Sequence, residues 1–481
     1  MDIRQALPEG CKVETPTPET QLHDVVSRWS DAQVSLPYAV VTPLSSEDII
    51  AAITFASQNN LKIVPTNGGH GSYVPITSKT LYLDMKNFKD ISLDEEHSEV
   101  TISGGCLSGE VLKYLAGSGE GWFTTLPNAN PVGVVGAFLG GLSHSLNGLK
   151  GFGIDHVRSI TIIPFSDQKA RTLTPGSRGG DGDLLNVLCG AGHGLGIVTS
   201  ITLKAWKISS LNMNDDKIWT RRLIFPAPAI STAAELYTSL TQQEGGIAPE
   251  LTAVLAFLRA PPTAPVPGAP MIMVALNFFG PSSEADKVCA ASFEEKYVDK
   301  ATVKVTVPTP FEALNEGVEA LNAHGGFKEY HGCFCAEIDE KSIVEAFEAW
   351  KGFTDGEGLK KRGRSYVVVG SWSTGQLLKH KKETGGRFFD ARERGVFVQA
   401  APWYADSKDK EEADGFGKSV VQSMRQRDEE KGLQKRTFVN NLIAGQDMRE
   451  VYSASQIEEI KRVKGIWDPR SVGWSPVIEG W

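Results

Sequence analysis

The sequence lacks any apolar run approaching the roughly eighteen residues that mark a membrane-spanning helix. Its longest nearly uncharged apolar stretch, Val132 to Leu142, is short and rich in glycine. It also lacks a basic excess: 49 lysines and arginines stand against 58 aspartates and glutamates, a formal charge of −9. Nucleic acids and anionic membranes both select a positive face, so neither is an expected partner. Cysteine is sparse, with six residues scattered over 481, which excludes a small disulfide-stapled domain. Only Cys333 and Cys335 lie close together. Two ligands at that spacing do not make a zinc site; their alternation reads as one face of a strand, and no metal is expected. The first ten residues carry charges and no apolar stretch of signal-peptide length, so a cytoplasmic location is expected.

What is present is ordinary globular composition, 41% hydrophobic and 22% charged, in a chain long enough for two cores. Near the N-terminus the pattern predicts a strand at Ala39 to Val41, a helix from Glu47 to Asn59 opened by a capping box of Ser45 and Asp48, and a strand at Lys62 to Pro65. Short β-rich runs follow at Leu81 to Met85 and Val100 to Ser103. Beyond Trp206 the texture changes. Leu251 to Leu258 and Met271 to Phe279 read as paired strands, joined by further strands at Val303 to Val307, Tyr330 to Ile338, Tyr366 to Trp372 and Val396 to Trp403. Amphipathic helices at Glu340 to Phe353 and Lys410 to Arg425 lie between them. The tail carries a helix at Gln456 to Lys464, expected to start at a capping box of Ser455 and Glu458, then a docked end with Trp474 and Trp481. The expected fold class is α+β. Two α+β lobes occupy residues 1–207, a mostly antiparallel sheet flanked by helices occupies 208–435, and 436–481 returns to the first part. No internal repeat is visible.

Glycine is concentrated in three loops between 67 and 199, each expected to follow a β-rich run. The first is Asn67-Gly68-Gly69-His70-Gly71-Ser72. The second contains Gly133, Gly136, Gly140 and Gly141, and the third contains Gly190, Gly192, Gly194 and Gly196. A dinucleotide carries a diphosphate that is held by backbone N–H groups, and side chains on the cradling residues block that approach. The glycines do not form the Gly-x-Gly-x-x-Gly turn between a strand and a helix. They alternate late in the domain with no acidic residue at the required offset, which weighs against a nicotinamide cofactor.

These residues resemble the FAD-linked oxidases of the vanillyl-alcohol oxidase and p-cresol methylhydroxylase type, in their berberine-bridge-enzyme-like branch. Pro65 to His70 is similar to the family's loop ending in Gly-Gly-His, whose histidine is commonly bonded to the flavin 8α-methyl. Val132 to Gly141 resembles the loop along the flavin and diphosphate, and Gly151 to Val157 the segment after it. Asp183 to Thr199, ending in Gly196, Ile197, Val198 and Thr199, resembles the family's third glycine stretch. Phe438 to Asn441, with Asn440, and Val463 to Pro469 resemble the returning C-terminal segment. The resemblance covers about 35–206 and 436–475 and is only architectural in between. It implies FAD, attached once through His70. The second, cysteinyl link found in many members is not expected, because Ala129 occupies that position. Asn67 stands where a small residue such as serine is frequent. Val132 occupies what resembles the oxygen-gating position, where valine goes with oxidase behaviour.

The resemblance implies a small-molecule substrate, hydride transfer to flavin, and dioxygen as re-oxidant giving hydrogen peroxide, in a monomer or homodimer. The substrate is expected to be a secondary metabolite. A redox-neutral cyclase or isomerase on the same scaffold, or an FAD dehydrogenase with another acceptor, is the alternative. The base is expected on the substrate sheet, at Tyr404, Tyr366 or Tyr330, with Glu329 and His331 as further candidates there and His144, two residues after the second glycine loop, as another. A tyrosine in that role needs its ordinary value near 10 lowered.

Overall fold

The computed structural model describes residues 3–243 and 245–478; Trp481 lies outside the described residues. The predicted βαβ unit opens a sheet ordered Lys12–Glu14, Ala39–Thr42, Thr80–Asp84, Lys62–Thr66, in which the last three strands run parallel. Its helix, Ser46–Gln58, begins where the Ser45 hydroxyl accepts from the Asp48 N–H at 3.2 Å and the Asp48 carboxylate accepts from the Ser45 N–H. Ile49, Ala52, Ile53, Phe55 and Ala56 turn one stripe of that helix into the core over the sheet.

A second, antiparallel sheet follows, ordered Ile91–Asp94, Glu99–Ser103, Gly196–Lys204, Val157–Pro164, Arg171–Leu173. The third glycine run feeds the central strand of this sheet. It does not follow a strand, as the sequence pattern suggested, but a helix at Gly179–Ala191 whose end breaks at Cys189 and Gly190. That helix is rich in glycine and aspartate at its start, so propensity alone hides it, and burial of Leu184, Leu185, Val187 and Leu188 decides it.

The third sheet has seven antiparallel strands, ordered Val303–Pro310, Lys217–Pro226, Pro270–Phe278, Leu251–Arg259, Tyr366–Ser371, Val396–Ala401, His331–Cys335. Side chains alternate between its faces. Leu255, Val367, Val369, Val398 and Cys333 face helices Ile230–Thr241, Glu340–Thr354 and Lys410–Glu430, and form one core with Leu236, Phe347 and Val420. Cys333 and Cys335 share that face, their sulfurs 3.6 Å apart.

The C-terminal helix, Ala454–Trp467, starts two residues earlier than the predicted capping box. Ser453 caps it with Gln456, because the helix's first turn includes Ser455 and so denies it the cap position. From its last turn the Lys464 ammonium donates to Asp468 Oδ2 at 2.6 Å and to the Gly194 and Gly473 carbonyls at 2.9 Å. Gly473 in turn bridges Ile63 of the first sheet. No helix among the described residues is long and apolar enough to cross a membrane.

Candidate active site

All three glycine loops reach one cavity of about 490 Å³, within the usual range for cofactor sites. Asn67, Gly68, Gly69, His70 and Gly71 come from the first loop, Val132, Gly133 and Gly136 from the second, Gly194, Gly196 and Val198 from the third, and Asn440 from the returning tail. The opposite wall is the free face of the seven-stranded sheet, with Tyr366 on it and Tyr330 just before the strand His331–Cys335.

The loops meet because glycine lets backbones touch. A Cβ on Gly68 would stand 2.0 Å from the Pro131 carbonyl oxygen, so only glycine joins the first loop to the second. The departure at Asn67 has a structural reason: its side-chain amide donates to the Cys106 carbonyl at 2.7 Å and lies against Gly133, pinning the same junction. Gly194 has a φ of +85° and abuts the Trp474 carbonyl, which seats the tail on the third loop.

Several expected cofactor contacts lie elsewhere. Gly140 packs on Asn440, Gly141 on Phe389, and Gly192 on Leu139 and Leu188, so these glycines serve packing behind the wall. Ile197 points into the core of the first lobe, since it alternates with the lining residues Gly196 and Val198 along a strand. Ser72 is buried beside the first loop with a hydroxyl that has no partner among the described residues.

Tyr404 is not in the cavity. It stacks on Phe327 with ring centroids 5.7 Å apart, in a separate two-stranded ladder, and burial raises its pKa. Glu329 pairs with Lys410, and His331 lies 3.4 Å from Asp414 on the helix-covered face, because it alternates with the cavity-side Gly332 position. Tyr366 and Tyr330 do line the cavity. Burial pushes Tyr366 up to about 12 although the Tyr330 hydroxyl stabilises its anion, and pushes Tyr330 well above 10. His144 also reaches the wall, yet both its ring nitrogens are engaged: Nε2 lies 2.7 Å from the Gly151 carbonyl, and Nδ1 accepts from the Leu146 N–H at 3.0 Å.

His70 is held on several sides. Trp29 stacks on it at 5.9 Å and the His324 ring stands edge-on at 5.4 Å. The Trp29 N–H donates to the Gly69 carbonyl at 3.0 Å, and His324 Nε2 lies 2.9 Å from the Gly68 carbonyl. Burial first, then the neighbouring His324, Lys328 and Arg28, lowers the His70 pKa to about 3, so its ring is neutral. Sequence reasoning missed Arg28, Trp29 and His324, since no local pattern tells a loop residue from one that crosses to a neighbouring segment. The cradle fits a flavin dinucleotide. Nothing stands within 4 Å of where a Gly136 Cβ would be, and His70 Nε2 and Asn441 Nδ2 are buried without partners among the described residues.

Comparison with known proteins agrees. A family model described as an FAD binding domain matches residues 37–172. The FAD-linked oxidoreductase hasG of Aspergillus fumigatus is 24% identical over 457 residues, covering 93% of each chain. Among solved structures, Physcomitrella patens BBE-like 1 superposes with a TM-score of 0.78 at 15% identity, over 99% of this chain and 98% of that one. The berberine bridge enzyme of Eschscholzia californica gives 0.76 at 15% identity over the same shares. Glycine-walled cavity, matched FAD-binding segment and shared fold together make this chain an FAD-linked oxidoreductase with the berberine-bridge-enzyme-like fold.

Proposed function

We propose that the chain is an FAD-dependent oxidase of a small organic molecule, holding its cofactor through a single covalent bond at His70. The observation that carries this reading is the convergence of three glycine loops and a tyrosine-bearing sheet face on one cavity. Bound FAD supplies a two-electron acceptor for the substrate's hydride, with dioxygen as the re-oxidant and hydrogen peroxide as product. Residues 1–207 and 436–481 hold the cofactor in this reading, and 208–435 hold the substrate.

The protein's own work is positioning and proton control. His70 offers an uncharged imidazole, the form that bonds carbon, because burial and neighbouring cations disfavour its protonation. Ala129 lines the cavity without a thiol, which limits the attachment to one. Val132, small and half-buried in the wall, supports access for dioxygen. Tyr366 and Tyr330 stay protonated at neutral pH, so they orient the substrate as neutral hydrogen-bonding phenols. Of the two, Tyr366 gives up its proton more readily, since the Tyr330 hydroxyl stabilises its anion.

Acid precipitation tests the attachment. Yellow colour is expected to stay with the wild-type precipitate and to appear in the supernatant of His70→Ala; colour that washes out of the wild type overturns the covalent bond. Tyr366→Phe is expected to lower kcat about a hundredfold with little change in KM, the scale of a lost proton-handling group. Peroxide formed in equal amount to substrate consumed supports the oxidase, and turnover without peroxide points to redox-neutral chemistry.

A further inference from the structure

The substrate half of the cavity is built from the sheet's free face, and its rows are set by strand register. Val254 faces Gly370, which faces Phe397; Val368 faces Gln399, which faces Gly332. Alternation along each strand adds Thr252, Tyr366 and Trp372 to this face. Gln399 sits at the centre of the array, half-buried, its side-chain amide without a hydrogen bond to any described residue.

Formal charge is absent from this wall. Among the described residues lining the cavity there is no aspartate, glutamate or lysine. The single arginine, Arg28, is on the cofactor side and donates to the Gly71 and Val74 carbonyls. A charged ligand sealed here would lose its hydration without meeting a counter-charge, which is unfavourable for cations and anions alike. The polar groups are amides, hydroxyls and an indole. One is a buried N–H donor without a partner among the described residues, Trp372 Nε1. A neutral oxygen atom satisfies such donors, and the surrounding Phe397, Tyr330, Tyr366 and Trp372 rings offer flat apolar surface.

We propose that the substrate is an uncharged, oxygen-bearing aromatic molecule, with Gln399 at the centre of its binding site and Trp372 as a donor to its oxygens. This rests on the cavity being the substrate site, as proposed above, but not on the fate of the electrons.

The test uses the purified flavoprotein and three probes of one shape: naphthalenemethanol, naphthylmethylamine and naphthoic acid, which are neutral, cationic and anionic at neutral pH. Binding is read anaerobically from perturbation of the flavin spectrum. The alcohol is expected to bind at least about tenfold more tightly than either ion. Gln399→Glu is expected to narrow or invert the preference between alcohol and amine by at least about tenfold, because it places a carboxylate where none stands. Amine or carboxylate binding as tight as that of the alcohol overturns the proposal, as does an alcohol that fails to bind. An unchanged preference in Gln399→Glu removes Gln399 from the site. Peroxide release plays no part in this titration, so an alcohol that binds selectively without being oxidised counts against the oxidase reading and not against the substrate class.

Discussion

Acidification by about two pH units below the ordinary histidine value of 6.5 is expected to cost about 5 kcal/mol of folding stability through His144 and His156 alone. Both are buried, and burial is the main reason that their pKa values fall to about 3 and about 4. The unfolded chain takes up protons near 6.5 that the folded chain refuses. The stabilisation is therefore fully present above that pH and is lost as the pH falls toward the folded values. The bonding explains the refusal. His144 uses Nδ1 to accept from the Leu146 N–H and Nε2 to donate to the Gly151 carbonyl, so a second proton would set donor against donor. The bond of His156 Nε2 to the Lys150 carbonyl, at 2.5 Å, favours protonation but is outweighed by burial. Urea unfolding followed against pH reads the effect, and His156→Gln is expected to remove about half of it by abolishing one of the two titrations. A stability unchanged across this window, or a variant as acid-sensitive as the parent, sinks the account.

Asp155→Asn is expected to destabilise the fold by about 3–5 kcal/mol, the scale for breaking a fully buried ion pair from one side. The Asp155 carboxylate accepts from both terminal nitrogens of Arg392 at 2.7 and 2.8 Å, and neither side chain has any exposed surface. The same carboxylate accepts from the Phe152 N–H at 2.9 Å. The pair ties the segment after the second glycine loop to a turn just before the strand that carries Gln399, so it bears on both walls of the cavity. Removing the negative charge strands the guanidinium in the interior. The double variant Asp155→Asn with Arg392→Met is expected to recover part of the loss, since the stranded charge goes with it. A cost below about 1 kcal/mol for the single change, measured by the denaturation midpoint, contradicts this account.

Legibility varied with the range of the interaction. The helix after Ser45 was readable because its cap and its apolar stripe lie within one turn of each other. The paired strands 251–259 and 270–278 were readable from alternation and a proline-rich loop between them. The helix at Gly179–Ala191 was not, since its glycines disfavour helix and only its buried leucines hold it. The tyrosine candidates split for the same reason: Tyr330, Tyr366 and Tyr404 are alike in sequence context. One residue of strand phase and the position of a short ladder at Phe327 decide which of them reach the cavity.

The glycine loops were legible from residue type, and the family resemblance pointed to the histidine of the first. Backbone close to a phosphate-bearing cofactor tolerates few side chains, and that constraint is written in residue type. Tertiary structure decided which glycines face the cavity and which pack behind it, and what stands around His70. It also decided that the sheet-side wall of the cavity carries amides and aromatic rings without a formal charge. Those properties depend on which face of a strand a residue occupies and on contacts hundreds of residues apart, such as Asn440 on Ala137 and Lys464 on Gly194. No local pattern encodes a meeting of that kind, because the energy that selects it is gained only when the whole core closes.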